Sequence, residues 1–368
     1  MRVLEVAPFA APIHEQRTEL GGAQIVIQDL ARGLTRRGHR VMLAAAEGSR
    51  VEGVDLLPLG IDSSRMRKAD LGEHQGARAD NSEQRAAFMR VRDWIDGHAG
   101  EIDVVHAHAY DAPAFEALAG GRRPVVHTLH LPPLDRAVVD AAIRARDATL
   151  VTVSNANAHA WRRAGAPVAH VIPNGIAVSE IPFGHDRFDH LLYAGRLSPE
   201  KGVVTALEVA DRGRRGILLV GAVYDESYFA KAVAPRVRAV PDALPGQRVR
   251  GAIYIGPRRR EEVWALMGRA AATLMPVEWD EPFGLVAVES LASGTPVVAY
   301  RRGGLADIVD ETCGALAEPG DVAGLVAAVD HASRLDPREC RRRAARFDLE
   351  TMLAAYESLL AAVVHGER

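Results

Sequence analysis

Short runs of β-branched and aliphatic residues alternate along the chain with longer stretches whose apolar residues recur every three or four positions. That alternation is the pattern of parallel strands covered by helices. In the first half it predicts strands at 2–7 (RVLEVA), 40–46 (RVMLAAA), 103–109 (DVVHAHA), 124–129 (PVVHTL), 148–153 (ATLVTV) and 169–172 (AHVI). The rhythm restarts in the second half, at 190–195 (HLLYAG), 216–221 (GILLVG), 252–256 (AIYIG), 272–276 (ATLMP) and 296–300 (PVVAY). The fold class is therefore α/β, with two similar layered domains. Between the halves, 173–189 (PNGIAVSEIPFGHDRFD) is rich in proline, glycine and polar residues and reads as a linker, which sets the boundary near residue 182. Residues 61–85 lack apolar periodicity and read as a long solvated surface excursion.

Composition narrows the class. A chain of 368 residues exceeds one ordinary core, and 48% hydrophobic with 25% charged residues is the make-up of a soluble globular protein. A net charge of -3 argues against a dedicated nucleic-acid binder. Cys313 and Cys340 are the only cysteines, which excludes a disulfide framework and a cysteine-built metal site and makes a reducing cytoplasm the expected home. Glu5 interrupts the apolar run of MRVLEVAPFA, so this segment reads as a first strand instead of a signal peptide. No apolar stretch approaches the ~18 to 20 residues that span a bilayer. Peripheral contact with the inner face of the membrane stays open, since a basic amphipathic face suffices for it.

Several stretches carry chemistry. In YAGRLSPEKGVVTALEVA (193–210), Ser198 can cap a helix with Pro199 at its first position, which puts Lys201 in the first turn. A cation there opposes the helix dipole, so Arg196 and Lys201 around that helix start suggest a bound anion such as a diphosphate. Near the N-terminus, Gly21 and Gly22 open an amphipathic helix and let a backbone come close to a ligand. The spacing is not the dinucleotide G-x-G-x-x-G fingerprint, which disfavours a nicotinamide or flavin cofactor. His106, His108, His127 and His130 lie at or just past the ends of two strands, where open parallel sheets bind ligands. Polar substrate contacts by one or two of them fit better than a metal site, given the absence of a nearby cysteine or carboxylate trio.

In WDEPFGLVAVES (279–290), Glu281 falls in a loop after a strand, and a helix is predicted to begin near Phe283 or Gly284. Glu289 then lies within its first two turns among apolar residues, where a carboxylate needs hydrogen-bond donors. The hydroxyls of a sugar or ribose would serve, and the N–H groups of Phe283, Gly284 and Leu285 remain for a ligand. Gly303 and Gly304 precede another helix and read as the same device, while the basic runs 257–262 (PRRREE) and 338–346 (RECRRRAAR) read as solvated faces.

Taken together and in order, GGAQ, HTLH, VIPNGI, YAGRLSPEKG, EPFGLVAVE and ASGTPVVAYRRGG resemble the retaining nucleotide-sugar glycosyltransferases of family 4 (glycosyl transferases group 1) across roughly residues 20 to 310. The resemblance implies the GT-B architecture, two Rossmann-like domains facing an interdomain cleft. Residues 1–182 would form the acceptor-binding domain, 183–349 the donor-binding domain, and 350–368 a helix crossing back to the first. It implies that Arg196 and Lys201 neutralise the donor diphosphate and that Gly21 and Gly22 approach it from the other domain. Glu281, with the backbone of Phe283, Gly284 and Leu285, would hold donor-sugar hydroxyls, Glu289 would hold the ribose, and His130 would reach the donor sugar, with His127 as its neighbour.

Such an enzyme is a hexosyltransferase type that moves a sugar from a nucleoside diphosphate to an acceptor hydroxyl, borne by a small molecule, a glycan or a lipid-linked acceptor, with retention. No cofactor and no metal are expected, because the two cations can stabilise the leaving group and no Asp-x-Asp motif is present. A uridine donor is the expectation, with guanosine and adenosine open: AVYDESYF stands where a glycine-rich loop is commoner, and NGIAVSE lacks the usual acidic residue after the turn. The alternatives are a GT-B epimerase or hydrolase acting on a nucleotide sugar, and a non-catalytic sugar-nucleotide-binding protein.

Overall fold

A computed structural model describes residues 1–14, 21–66, 82–184, 186–240 and 249–367. It divides into two compact units, Met1–Gly175 with Leu349–Arg368, and Ile176–Asp348. The division falls ahead of the residue-182 boundary read from the linker. Ile176, fully buried, pairs with Asp348 and donates its N–H to the Phe347 carbonyl at 3.0 Å, so the chain already belongs to the second unit there.

The first unit is built on seven parallel strands: β1 (Arg2–Val6), β2 (Arg40–Ala44), β3 (Asp55–Leu56), β4 (Val104–Ala107), β5 (Val125–Leu129), β6 (Ala148–Thr152) and β7 (Val168–Val171). They lie in the order β3-β2-β1-β4-β5-β6-β7. Helices α1 (Gly22–Arg36), α2 (Ser82–Gly97), α3 (Ala112–Leu118), α4 (Arg136–Arg144) and α5 (Asn155–Arg163) connect the strands. Burial on both faces explains why strands such as VVHA read as continuous runs instead of alternating ones. β3 is two exposed residues long, too short to leave a pattern. The ends of the predicted 61–85 excursion are not solvated: Ile61 and Met66 join the core, and α2 already starts at Ser82. Residues 67–81 lie outside the described residues.

The second unit repeats the plan with β8 (Leu191–Ala194), β9 (Ile217–Val220), β10 (Arg238–Ala239), β11 (Ala252–Tyr254), β12 (Ala272–Met275), β13 (Val297–Tyr300) and β14 (Gly314–Ala317). Their order is β10-β11-β9-β8-β12-β13-β14. β14, with the sequence GALA, lacks the β-branched residues that mark a strand, which is why the pattern passed over it. The helices are α6 (Val203–Arg212), α7 (Glu226–Tyr228), α8 (Arg260–Met267), α9 (Leu285–Ala292), α10 (Leu305–Ile308), α11 (Val322–Ala332) and α12 (Pro337–Ala344). In each sheet the strand order reverses beside its first strand, between β1 and β4 and between β8 and β12. Ligands of open parallel sheets bind at such switch points, outside the carboxyl ends of the strands.

The last helix, α13 (Leu349–Val364), belongs to the first unit. Leu353 lies so close over Gly33 of α1 that a Cβ there would sit 2.5 Å from its methyl carbons. Arg37 bonds to Glu350 at 2.8 Å and to Glu357 at 2.7 Å, and Tyr356 is fully buried. Among the described residues no helix is long and apolar enough to cross a membrane.

Candidate active site

Both predicted cations follow β8, but not on one helix start. Pro199–Lys201 forms a separate 3-10 turn, Gly202 adopts a left-handed conformation (φ 68°), and α6 begins only at Val203. Glycine is required at 202, because a Cβ would lie 1.8 Å from the Pro276 carbonyl oxygen. Ser198 does not cap the turn; its Oγ donates to Glu200 Oε1 at 2.6 Å. Arg196 reaches the same oxygen at 3.4 Å, and its guanidinium lies 4.6 Å from the centre of the Tyr224 ring.

Lys201 is not an exposed helix-start cation. Its Nζ donates to Glu281 Oε2 at 2.6 Å and stands 4.7 Å from the centre of the Trp279 ring, with only 18% of the side chain exposed. Trp279 Nε1 donates to the same carboxylate oxygen at 2.9 Å. Lys201 follows β8 and Glu281 follows β12, which are neighbours in the sheet. The switch point of the second unit therefore carries a cation and a carboxylate in contact.

Glu289, in α9, is 8% exposed, as a carboxylate among apolar neighbours would be. The partner it finds here is charged instead of a neutral hydroxyl: Arg260 Nε donates to its Oε1 at 2.6 Å, with the guanidinium 5.0 Å from the centre of the Trp264 ring. The run 257–262 is thus not merely a solvated face. No side chain caps α9, and the N–H groups of Phe283, Gly284 and Leu285 find no backbone acceptor among the described residues. Gly303 and Gly304 do not repeat the ligand-facing device expected of them. They pack backbone to backbone on the Glu281–Phe283 loop: Gly304 N–H donates to the Glu281 carbonyl at 2.7 Å, and a Cβ at Gly303 would lie 2.1 Å from that same oxygen.

In the first unit Gly21 and Gly22 are exposed at the start of α1, which no side chain caps. The predicted histidines separate into two kinds. His127, inside β5, is buried with its ring 4.3 Å from that of Phe115, and neither ring nitrogen has a partner among the described residues. His130, just past β5, places Nε2 2.9 Å from His108 Nδ1. His108 Nε2 is 2.7 Å from Glu5 Oε2, and His106 Nδ1 lies 3.1 Å from the same oxygen. One carboxylate, Glu5, therefore stands beside these histidines, brought there by β1 from more than a hundred positions away.

Burial pushes the Glu5 carboxyl up, but His106 and His108 beside it prevail and hold it at about 2. Burial, and after it the neighbouring His106, pushes His108 down to about 4 and His127 to about 3, while burial and His108 hold His130 well below its usual 6.5. The consequence for stability has a definite sign. Below pH 6.5, the ordinary histidine value, the unfolded chain takes up protons that the folded rings refuse. Stability should fall with pH from there, by about 1.4 kcal/mol per pH unit for each ring. Above that pH the rings are neutral in both states and this contribution is constant. Urea unfolding at a series of pH values should show the fall, and His127→Leu should make it shallower; parallel wild-type and variant curves would exclude His127 as a source.

Comparison with known proteins supplies the family. Residues 20–180 match the family model Glycosyltransferase Family 4, and residues 250–347 match Glycosyl transferases group 1. Glycogen synthase of Mycobacterium tuberculosis is 30% identical over 318 residues, which cover 77% of this chain and 74% of that one. The chain belongs to the family 4 (group 1) glycosyltransferases. This glycosyltransferase is also 28% identical to the D-inositol 3-phosphate glycosyltransferase of Xylanimonas cellulosilytica, over 87% of its own length and 85% of the relative's. Among solved structures, HepE of Anabaena in complex with UDP superimposes with a TM-score of 0.72 at 19% identity, covering 98% of this chain and 100% of that one. At that identity the likeness speaks for the GT-B class of fold, two Rossmann-like parallel-sheet domains. The enzyme is thus one of nucleotide-sugar transfer, working between a sugar donor and a glycosyl acceptor.

Several residues at these sites escaped the sequence reading. Glu5 was legible only as an interruption of a strand, although a lone carboxylate between apolar neighbours is itself a signal of a buried partner. Arg260 hid in a mixed-charge run, and Trp279 and Gly202 carried no mark of their own.

Proposed function

We propose that this enzyme transfers a sugar from a UDP-sugar to an acceptor hydroxyl, with retention at the anomeric carbon and without a metal ion. The observation that carries the reading is the Lys201–Glu281 contact of 2.6 Å at the β8/β12 switch point. A carboxylate suited to sugar hydroxyls and a cation suited to phosphate stand side by side, as a sugar joined to a diphosphate requires. In the reaction the bond from the anomeric carbon to the diphosphate breaks with its electron pair leaving on the phosphate oxygen. A bond from the acceptor oxygen forms on the same face, and the acceptor proton passes to the departing diphosphate. Stabilising that developing charge is the main catalytic task, and Arg196 and Lys201 are assigned to it.

Glu281 and the N–H groups of Phe283, Gly284 and Leu285 hold donor-sugar hydroxyls in this reading. Glu289 offers the ribose its second oxygen, since Arg260 occupies Oε1. In the first unit, Gly21 and Gly22 are assigned to the donor phosphate and His130 to a donor-sugar hydroxyl. The uridine assignment draws support from HepE, whose structures hold UDP and UDP-glucose.

The test is a thermal-shift series with UDP, GDP, ADP and their sugars in the presence of EDTA, followed by an assay of nucleotide release with and without acceptor alcohols. UDP-sugars should raise the midpoint, a ligand at 100 times its Kd adding about 2.7 kcal/mol to the folded state. Release should depend on the acceptor, and the product should keep the donor's anomeric configuration. Acceptor-independent release would sink transfer, an inverted product would sink retention, and a response to GDP or ADP alone would sink the uridine assignment.

A further inference from the structure

Beyond the residues assigned to the donor, a line of buried polar side chains runs beside the β1/β4 switch point of the first unit. Glu5, His106, His108, Thr128 and Tyr356 are all fully buried, and His130 at the end of the line is 6% exposed. From Tyr356 the hydroxyl is 3.0 Å from Thr128 Oγ1, which is 2.8 Å from His106 Nε2. His106 then meets Glu5, Glu5 meets His108, and His108 meets His130. Burying so many polar groups together is offset here because each of them finds a partner in the line.

The direction of the hydrogen bonds follows from the carboxylate. Glu5 can only accept, so the ring nitrogens that reach it, His106 Nδ1 and His108 Nε2, both carry hydrogen. His108 is held neutral by its burial, so its Nδ1 is a lone pair. The partner of that lone pair, His130 Nε2 at 2.9 Å, must then donate. A neutral His130 whose Nε2 carries the hydrogen has a lone pair on Nδ1, and that atom has no partner among the described residues.

We propose that Glu5 and His108 are positioning residues that lock His130 in its Nε2–H tautomer, so that Nδ1 is presented as an acceptor to a hydroxyl of the donor sugar. The proposal rests on the assignment of His130 to the donor sugar made above. A sugar hydroxyl could pair with either tautomer, but the two act oppositely on the reaction. When the hydroxyl donates to Nδ1, its oxygen gains electron density and steadies the positive charge that develops on the ring as the diphosphate departs. When it accepts from an N–H, its oxygen loses density and the charge is disfavoured. The tautomer therefore acts on the transition state more than on ground-state binding, and shows in kcat more than in KM.

Two substitutions at one position separate the relay from simple packing. In His108→Gln the amide oxygen can accept from His130 while the amide N–H donates to Glu5, which keeps the polarity of the chain. In His108→Leu both bonds are lost. The expected result is near-wild-type kcat for His108→Gln and a loss of about tenfold or more for His108→Leu, with the donor KM little changed in either. In Glu5→Gln the amide can accept from one ring and donate to the other, so the tautomer is no longer enforced and kcat should fall part of the way.

NMR of the full-length enzyme labelled in its histidines, with the His130 signals assigned by comparison with His130→Asn, reads the tautomer directly. It should be Nε2–H in wild type and His108→Gln, and mixed in His108→Leu. An Nδ1–H tautomer in wild type overturns the proposal whether or not any variant folds, as does a His108→Leu enzyme with wild-type kcat. The facing atoms of Glu5, His106 and His108 all lie within 4.8 Å of one another, so stoichiometric metal in the purified protein, standing in place of these hydrogens, also overturns it. Absence of donor turnover by wild type with the Nε2–H tautomer present defeats the functional reading and the catalytic half of this proposal, while the wrong tautomer with normal turnover defeats the relay alone.

Discussion

Replacing Lys201 with alanine is expected to lower kcat by about two to three orders of magnitude, the usual cost of removing one group that stabilises developing negative charge. The structure changes what should accompany that loss. Lys201 is not a solvated side chain, since Glu281 Oε2 and the Trp279 ring surround its ammonium group. Its removal leaves Glu281 with the Trp279 N–H at 2.9 Å, so the carboxylate keeps one donor and the fold should survive with a modest loss of stability. Lys201→Arg should not restore activity, because a planar, forked guanidinium spreads its charge and does not reproduce the compact ammonium that stands between the Glu281 carboxylate and the Trp279 ring. The check is steady-state kinetics beside a urea titration. The Lys201→Ala/Glu281→Gln double variant should lose far less than the product of the single losses, as groups in contact do. Wild-type turnover in Lys201→Ala would remove the diphosphate assignment.

The second large effect is on stability. Arg260→Ala should destabilise the second unit by about 2 to 3 kcal/mol, because it strips the charged partner at 2.6 Å from a carboxylate that is 8% exposed. The figure lies at or below the low end for broken buried pairs, since a quarter of the Arg260 side chain remains open to water (24%) and screening applies. Glu289→Gln should cost less, because a neutral amide can stay in the same place while accepting from Arg260. Urea unfolding of the two variants checks the order. A wild-type midpoint in Arg260→Ala would mean that the Arg260–Glu289 contact is dispensable and that Glu289 is balanced by something else.

Much of the architecture was legible in the residues. Parallel strands buried on both faces write themselves as short apolar runs; the strands that escaped, β3, β10 and β14, are two residues long or, in GALA, lack any β-branched residue. Lys201, Glu281 and Glu289 were legible as charges in places where a plain helix or loop has no use for them. Their partners were not. Glu281 stands 80 positions from Lys201 and Glu289 stands 29 from Arg260, and nothing in local patterning measures such distances.

The same holds for residues whose meaning reversed. Gly303 and Gly304 look like Gly21 and Gly22 in the sequence, yet the former pair exists so that one backbone can lie against another, at the Glu281–Phe283 loop. His127 and His130 differ by three positions and look alike as candidates. Strand geometry sends one against Phe115 and the other to His108.

By itself the sequence determined the fold class, the repetition of a parallel-sheet unit, and the family, because periodicity and closely spaced motifs are local properties of the chain. Only the tertiary structure decided which charges neutralise each other and which imidazole nitrogen carries a hydrogen. Those depend on side chains that the sheets bring together across long separations, where burial removes water as the alternative partner.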